Sequence, residues 1–144
     1  MQNTLFSPRH AASAVAIYGL FNPLPVGFFT AAWIFDLIYL SSFNSLWTLA
    51  AAWLISFGLV LAIIPRLINL VYVWKGGFAA LSAPKVDFWL SAAAVVLAII
   101  NAFVHSRDAY AVVPQGVILS TLVVLLLSIA NIQTALRSRQ KAGV

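Results

Sequence analysis

An all-α bundle of four membrane-spanning helices is the fold this sequence predicts, and three observations predict it. Hydrophobic residues make up 63% of the 144 and charged residues only 8%, against about 45–50% and about 25% in ordinary soluble domains. Four long apolar stretches each approach or exceed the roughly 20 residues that a spanning helix needs. Within them the apolar residues run continuously instead of alternating with period two, which sets a strand-built barrel aside. Three acidic and eight basic side chains cannot cover a water-soluble fold of this size, so lipid covers most of it. At this length one compact unit is expected, a single transmembrane domain over 1–144.

Before the first span, residues 11–21 form an apolar run behind Arg9 that is too short to cross. It reads as an amphipathic helix lying at the interface or half inserted. Asn22-Pro23-Leu24-Pro25 follows it where a signal peptide would carry a small-x-small cleavage site, so this segment is expected to be retained. The first span, 23–40, opens with Asn22 as N-cap and with Pro23 where a missing N–H costs nothing. The second, 47–74, is long and contains Pro65, which predicts a kink or tilt near its end. Gly76-Gly77 and Pro84 mark a loop before the third span, 86–104. The fourth covers 113–136. No internal repeat is visible, so an inverted-repeat transporter design has no support. Small residues four apart suggest helix contact faces: Ala94, Ala98 and Ala102 in the third span, Gly116 and Ser120 in the fourth, Gly27 and Ala31 in the first.

Topology follows from the short basic flanks. Four spans put both termini and the second loop on one side, with Arg9, Lys75, Lys85, Arg137, Arg139 and Lys141. The other side has Arg107 alone, beside Asp108. Six against one places both termini in the cytoplasm. Tyr72, Trp74 and Trp89 then mark the inner boundary, and Tyr39, Trp47 and Tyr110 the outer one.

The net charge of +5 lies mostly at segment ends, a topology signal that gives no reason to expect nucleic acid. No cysteine is present, which excludes disulfides, thiolate metal sites and a cysteine nucleophile. No Ser-His-Asp set, phosphate-binding glycine loop or zinc-protease motif appears. No enzymatic activity, cofactor or metal is therefore expected. His10 and His105 fall on opposite sides of the membrane, cannot share a haem, and both read as interfacial polar residues. Trp33 and Trp53 lie below the outer boundary in adjacent spans. They read as packing, the alternative being the border of a quinone or pigment site.

Ionisable residues at membrane depth are the first place to look for function, and the sequence offers Asp36 and Arg66. Asp36, about one turn below the outer end of its span, is expected to form an outer-rim ion pair with Arg107, His105 being the other partner within reach. The functional alternative is a proton or cation site. Arg66 follows Pro65 in the inner half of the second span, with Asn69 one turn below, Asn131 and Gln133 at similar depth, and Asn22 at the start of the first span. Arg66, Asn69, Asn131 and Asn22 form a candidate pocket for an anionic lipid headgroup or small anion. Alternatively Arg66 snorkels to the headgroups while the amides bond between helices.

Asn22-Pro23-Leu24-Pro25-Val26-Gly27-Phe28, followed by Phe35-Asp36-Leu37, resembles the start of a widespread bacterial family of small four-span membrane proteins with no assigned activity. That family opens with His-Pro-Leu-x-Val-x-Phe-Pro and carries an aspartate late in the first span. Ile64-Pro65-Arg66-Leu67-Ile68-Asn69-Leu70 is similar to its Pro-containing second-span end, and residues 101–108 to its Asn-bearing third-span end. Asn22 stands where the family has histidine, and Asn69 where an acidic residue is common, so ligands for a metal or haem are missing here. The resemblance implies the four-span fold and the bacterial cytoplasmic (inner) membrane, and it implies no activity.

The function expected from these readings is that of a small non-enzymatic accessory or scaffold subunit. Its partners would be membrane lipids and other membrane-protein subunits, or further copies of itself. A binder or carrier of a lipid, quinone or small ion centred on Arg66 is the alternative, and a cofactor-holding redox subunit a third.

Overall fold

A computed structural model describes residues 16–17, 20–75, 85–107 and 112–141. Residues 1–15, which hold Arg9, His10 and the start of the predicted 11–21 segment, lie outside the described residues, as do residues 18–19 of that segment, Asp108 and Tyr110. The side chains of Asn69, Tyr72, Trp74, Lys75, Lys85, Arg139 and Lys141 also lie outside what is described.

Four helices form the expected bundle: α1 (Leu24–Ser42), α2 (Ser45–Lys75), α3 (Lys85–His105) and α4 (Gln115–Lys141). Each is long and apolar enough to cross a membrane. The first packs on α2 and α4, and α3 on α4 and α2, which closes a ring of four around a common core.

One periodicity builds that core. The buried residues are Pro25, Phe29, Ala32, Asp36 and Tyr39 on α1, and Thr48, Ala51, Ile55, Gly58, Ala62 and Pro65 on α2. On α3 they are Asp87, Ser91, Ala94, Ala98, Asn101 and His105; on α4, Gly116, Ser120, Val123, Leu127 and Ala130. Each series steps by alternating threes and fours, the 3.5-residue repeat of helices that supercoil and interdigitate. Small residues dominate these seams, while Leu49, Trp53, Val60, Phe103, Leu125 and many other large apolar side chains face outward. In lipid an apolar surface is no liability, so close backbone approach decides what goes inside. Gly58 shows how close: a Cβ there would lie 2.9 Å from Phe29 Cε1 and 3.2 Å from Phe28 Cβ.

Helix ends depart from the sequence reading in instructive ways. Asn22 does not cap α1; Pro23 takes the N-cap position without a side-chain hydrogen bond, and the Asn22 amide oxygen is used elsewhere. Pro65, where a kink or tilt is expected, lies inside α2 with its ring buried on the inner seam. At the other end of α1, Phe43 turns left-handed (φ 50°) and its N–H bonds the Tyr39 carbonyl at 2.9 Å. Asn44 then accepts the Leu46 N–H at 3.0 Å and so caps α2. Two residues therefore join α1 to α2. Of the aromatic residues expected at the membrane boundaries, Tyr39 points inward and is buried and Trp89 faces outward.

Candidate functional site

Two polar clusters interrupt the inner seams, one at each end of the bundle. An apolar stretch containing Phe29, Ala32, Ala51, Ile55, Ala94, Ala98, Val123 and Leu127 separates them. From His105 back to Ser91 is 14 positions of helix, so the clusters stand roughly 20 Å apart at 1.5 Å per residue.

At the Asn44 end, α1, α3 and α4 each deliver side chains to one point. His105 Nε2 lies 2.8 Å from Asp36 Oδ1, both side chains fully shielded. Ser120 donates its hydroxyl to Asp36 Oδ2, and Asn101 Nδ2 donates to Ser120 Oγ at 2.7 Å. His105 Nδ1 lies 3.0 Å from the Asn101 carbonyl, one turn back on α3. That carbonyl only accepts, so Nδ1 carries a hydrogen. The Asn101 amide and the Ser120 hydroxyl thus form a donor chain that ends on the Asp36 carboxyl, and one proton remains between Nε2 and Oδ1. On either atom the cluster is net neutral, which is how an acid and a base tolerate burial together. Gly116 makes room for it: a Cβ there would lie 3.0 Å from His105 Cε1.

This arrangement differs from the expected rim pair. Arg107 forms no ion pair with Asp36 among the described residues; it follows α3 as an exposed residue, and His105 takes its place. His105 is buried within the bundle at the last residue of α3. It lies on the same seam as Asn101, four residues away, and the helix carries both inward. Both ring nitrogens are engaged, leaving neither lone pair free for a metal. Nor do Ser120, Asp36 and His105 make a hydrolytic triad, because the hydroxyl bonds the carboxylate and not the imidazole.

One turn along, Trp33 Nε1 donates to Thr121 Oγ1 at 2.9 Å, tying α1 to α4. Trp53 is exposed and stacks on Phe57, with ring centroids 5.8 Å apart. The two tryptophans thus take separate partners, Trp33 on α4 and Trp53 on its own helix.

At the Asn22 end the contacts are longer. Arg66 Nη2 reaches Asn22 Oδ1 at 3.4 Å. Asp87, in the first turn of α3, is buried; its Oδ2 lies 3.4 Å from Arg137 Nη1 and 3.3 Å from Thr134 Oγ1. Asn22, Arg66, Asp87, Ser91, Ala130, Asn131 and Thr134 surround a cavity of about 10 Å³. Of the four residues expected to form a pocket, Asn22, Arg66 and Asn131 thus meet around one cavity; Asn69 lies outside the described side chains. The cavity has the volume of a single water, far below a phosphate headgroup, and a carboxylate forms part of its wall. Asp87 escaped the sequence reading because it sits at the lip of an apolar segment, where an acid in a helix's first turn is unremarkable. Its spacing from Ser91 was the available signal.

The fold and these buried polar clusters define the class: an integral membrane protein built as a four-helix transmembrane bundle. No family model, no curated protein and no solved structure matches the chain.

Proposed function

We propose that the chain is a small, non-enzymatic accessory subunit that docks against a transmembrane helix of another membrane protein through the outer face of α1. The observation that carries this reading is a small-residue ladder that no other described residue covers. Gly58 and Gly116 are pressed by neighbours inside the bundle, but a Cβ on Gly27 would meet nothing within 4 Å among the described residues. Gly27 and Ala31 instead floor an open apolar groove of about 340 Å³, together with Pro23, Leu24, Phe28 and Leu54. Small residues four apart on an outward face allow a second helix backbone to approach closely. Phe28 and Phe57, their rings 6.4 Å apart at one edge, supply flanking contact area. The small-ion, lipid or quinone binder has less to support it, given a water-sized cavity at Arg66 and two tryptophans that part company. The redox subunit has least, since both nitrogens of His105 are taken.

The same reading places the protein in a bacterial cytoplasmic membrane with both termini inside. It rests on the six-to-one basic bias and on the resemblance to bacterial four-span proteins. A reporter fused after Val144 should be active in the cytoplasm and one inserted at Ser42 outside; the reverse pattern refutes this orientation.

Docking is tested with a photo-crosslinking residue at Phe28 in intact membranes, followed by mass spectrometry. The expected product is an adduct to one other membrane protein, lost in Gly27→Leu while thermal stability in detergent is kept. Adducts to lipid alone, to a second copy alone, or unchanged by Gly27→Leu would each overturn the proposal.

A further inference from the structure

Asp87 Oδ1 and Asn101 Oδ1 are the buried side-chain polar atoms that lack a hydrogen-bond partner among the described residues. Asp87 also lines the cavity at the Asn22 end. Its other oxygen is occupied by Arg137 and Thr134, so the bare oxygen marks an unmet requirement. A buried acceptor left without a donor costs about 1–3 kcal/mol, and more when charged.

We propose that this cavity is a binding site for one water molecule, which donates to Asp87 Oδ1 and accepts from the Arg66 guanidinium. Size and chemistry converge on that ligand. About 10 Å³ is room for one water sphere, and the walls offer the two to four polar partners that a buried water requires. Oxygens from Asp87, Ser91, Asn131 and Thr134 would suit a bare sodium ion as well. Arg137, paired with Asp87, and Arg66, on the same cavity wall, already bring two positive charges to the site, so a third is opposed. An anion would meet the Asp87 carboxylate. Water alone donates to the acid and accepts from the base.

The consequence concerns the charge on Arg66. It is answered across the α2–α3 seam by a water-mediated ion pair, which differs both from snorkelling to headgroups and from capturing one of them. This stands apart from docking at the α1 groove, since the two involve different faces and different side chains.

Crystals grown in a lipid mesophase and diffracting beyond about 2 Å would test it, with a rubidium soak as the cation probe. The expected map has one oxygen-sized peak about 2.6–3.2 Å from both Asp87 Oδ1 and an Arg66 nitrogen, with no anomalous signal after the soak. An empty cavity, a rubidium peak, or Arg66 in direct contact with Asp87 would overturn the proposal. In detergent micelles, a water-to-Arg66 side-chain cross-peak should be present in the wild type and absent in Ser91→Val, which fills the cavity. Ala130→Val closes it from α4, should Ser91→Val fail to fold. The His105 ring resonances report that the rest of the bundle is intact. No cross-peak in the wild type, or one that persists in a folded filled variant, would also refute it.

Discussion

At the Asn44 end of the bundle polar groups touch; at the Asn22 end they nearly touch and leave a hollow. The first cluster has contacts of 2.7 to 3.0 Å around Asp36, His105, Ser120 and Asn101, and each of these residues is buried. The second has contacts of 3.3 to 3.4 Å around Asp87, Arg66, Arg137 and Thr134, and Arg137 keeps 38% of its side chain exposed. Both contain one acid with a basic partner, yet burial separates their energetics. A fully shielded pair is costly to break because its surviving member is stranded. A pair near the boundary can lose a partner to water or headgroups at small cost.

Three substitutions sharpen or break this contrast, each read as unfolding in detergent by heat or denaturant. His105→Leu should have the largest effect, about 3–5 kcal/mol of lost stability, because it abandons the Asp36 carboxylate in the core. A loss below about 1 kcal/mol would mean that the cluster is open to water. Gly116→Ala comes next, at about 1–3 kcal/mol from overpacking. The added methyl would lie 2.5 Å from Val112 Cγ1 and 3.0 Å from His105 Cε1, so histidine ring resonances should shift with it. Arg137→Gln should be smallest, under about 1 kcal/mol. A loss as large as that of His105→Leu would erase the difference between the two ends.

Much of the architecture was legible from composition and length, because a bilayer demands a particular run of apolar residues and little else. All four spans stand where the apolar stretches put them, with shifts of a few residues at their ends. Side-chain partners were harder. In a soluble helix the polar face announces the outside, but here both faces are apolar, and the inner seam is marked only by residues that are small or polar. Read with a 3.5-residue step, Asp87, Ser91, Ala94, Ala98, Asn101 and His105 form one line, and that line would have turned His105 inward. Read by depth alone, Asp36 appeared close to the rim and Arg107 its natural partner. Asn22 misled for another reason: its local context favours a cap, but a partner 44 residues away, Arg66, engages its amide oxygen.

The hairpin of α1 and α2, closed by Phe43 and Asn44, also has a history in time. Asp36 and His105 are separated by 69 residues and Asp36 and Ser120 by 84. A ribosome adding about 5–20 residues per second needs roughly 3–14 seconds to pass from the first to the second. The first span is also the least apolar of the four. Through that interval the newborn hairpin carries an aspartate whose neutralising partners have not been made, so its stable residence in lipid waits on the second half of the chain.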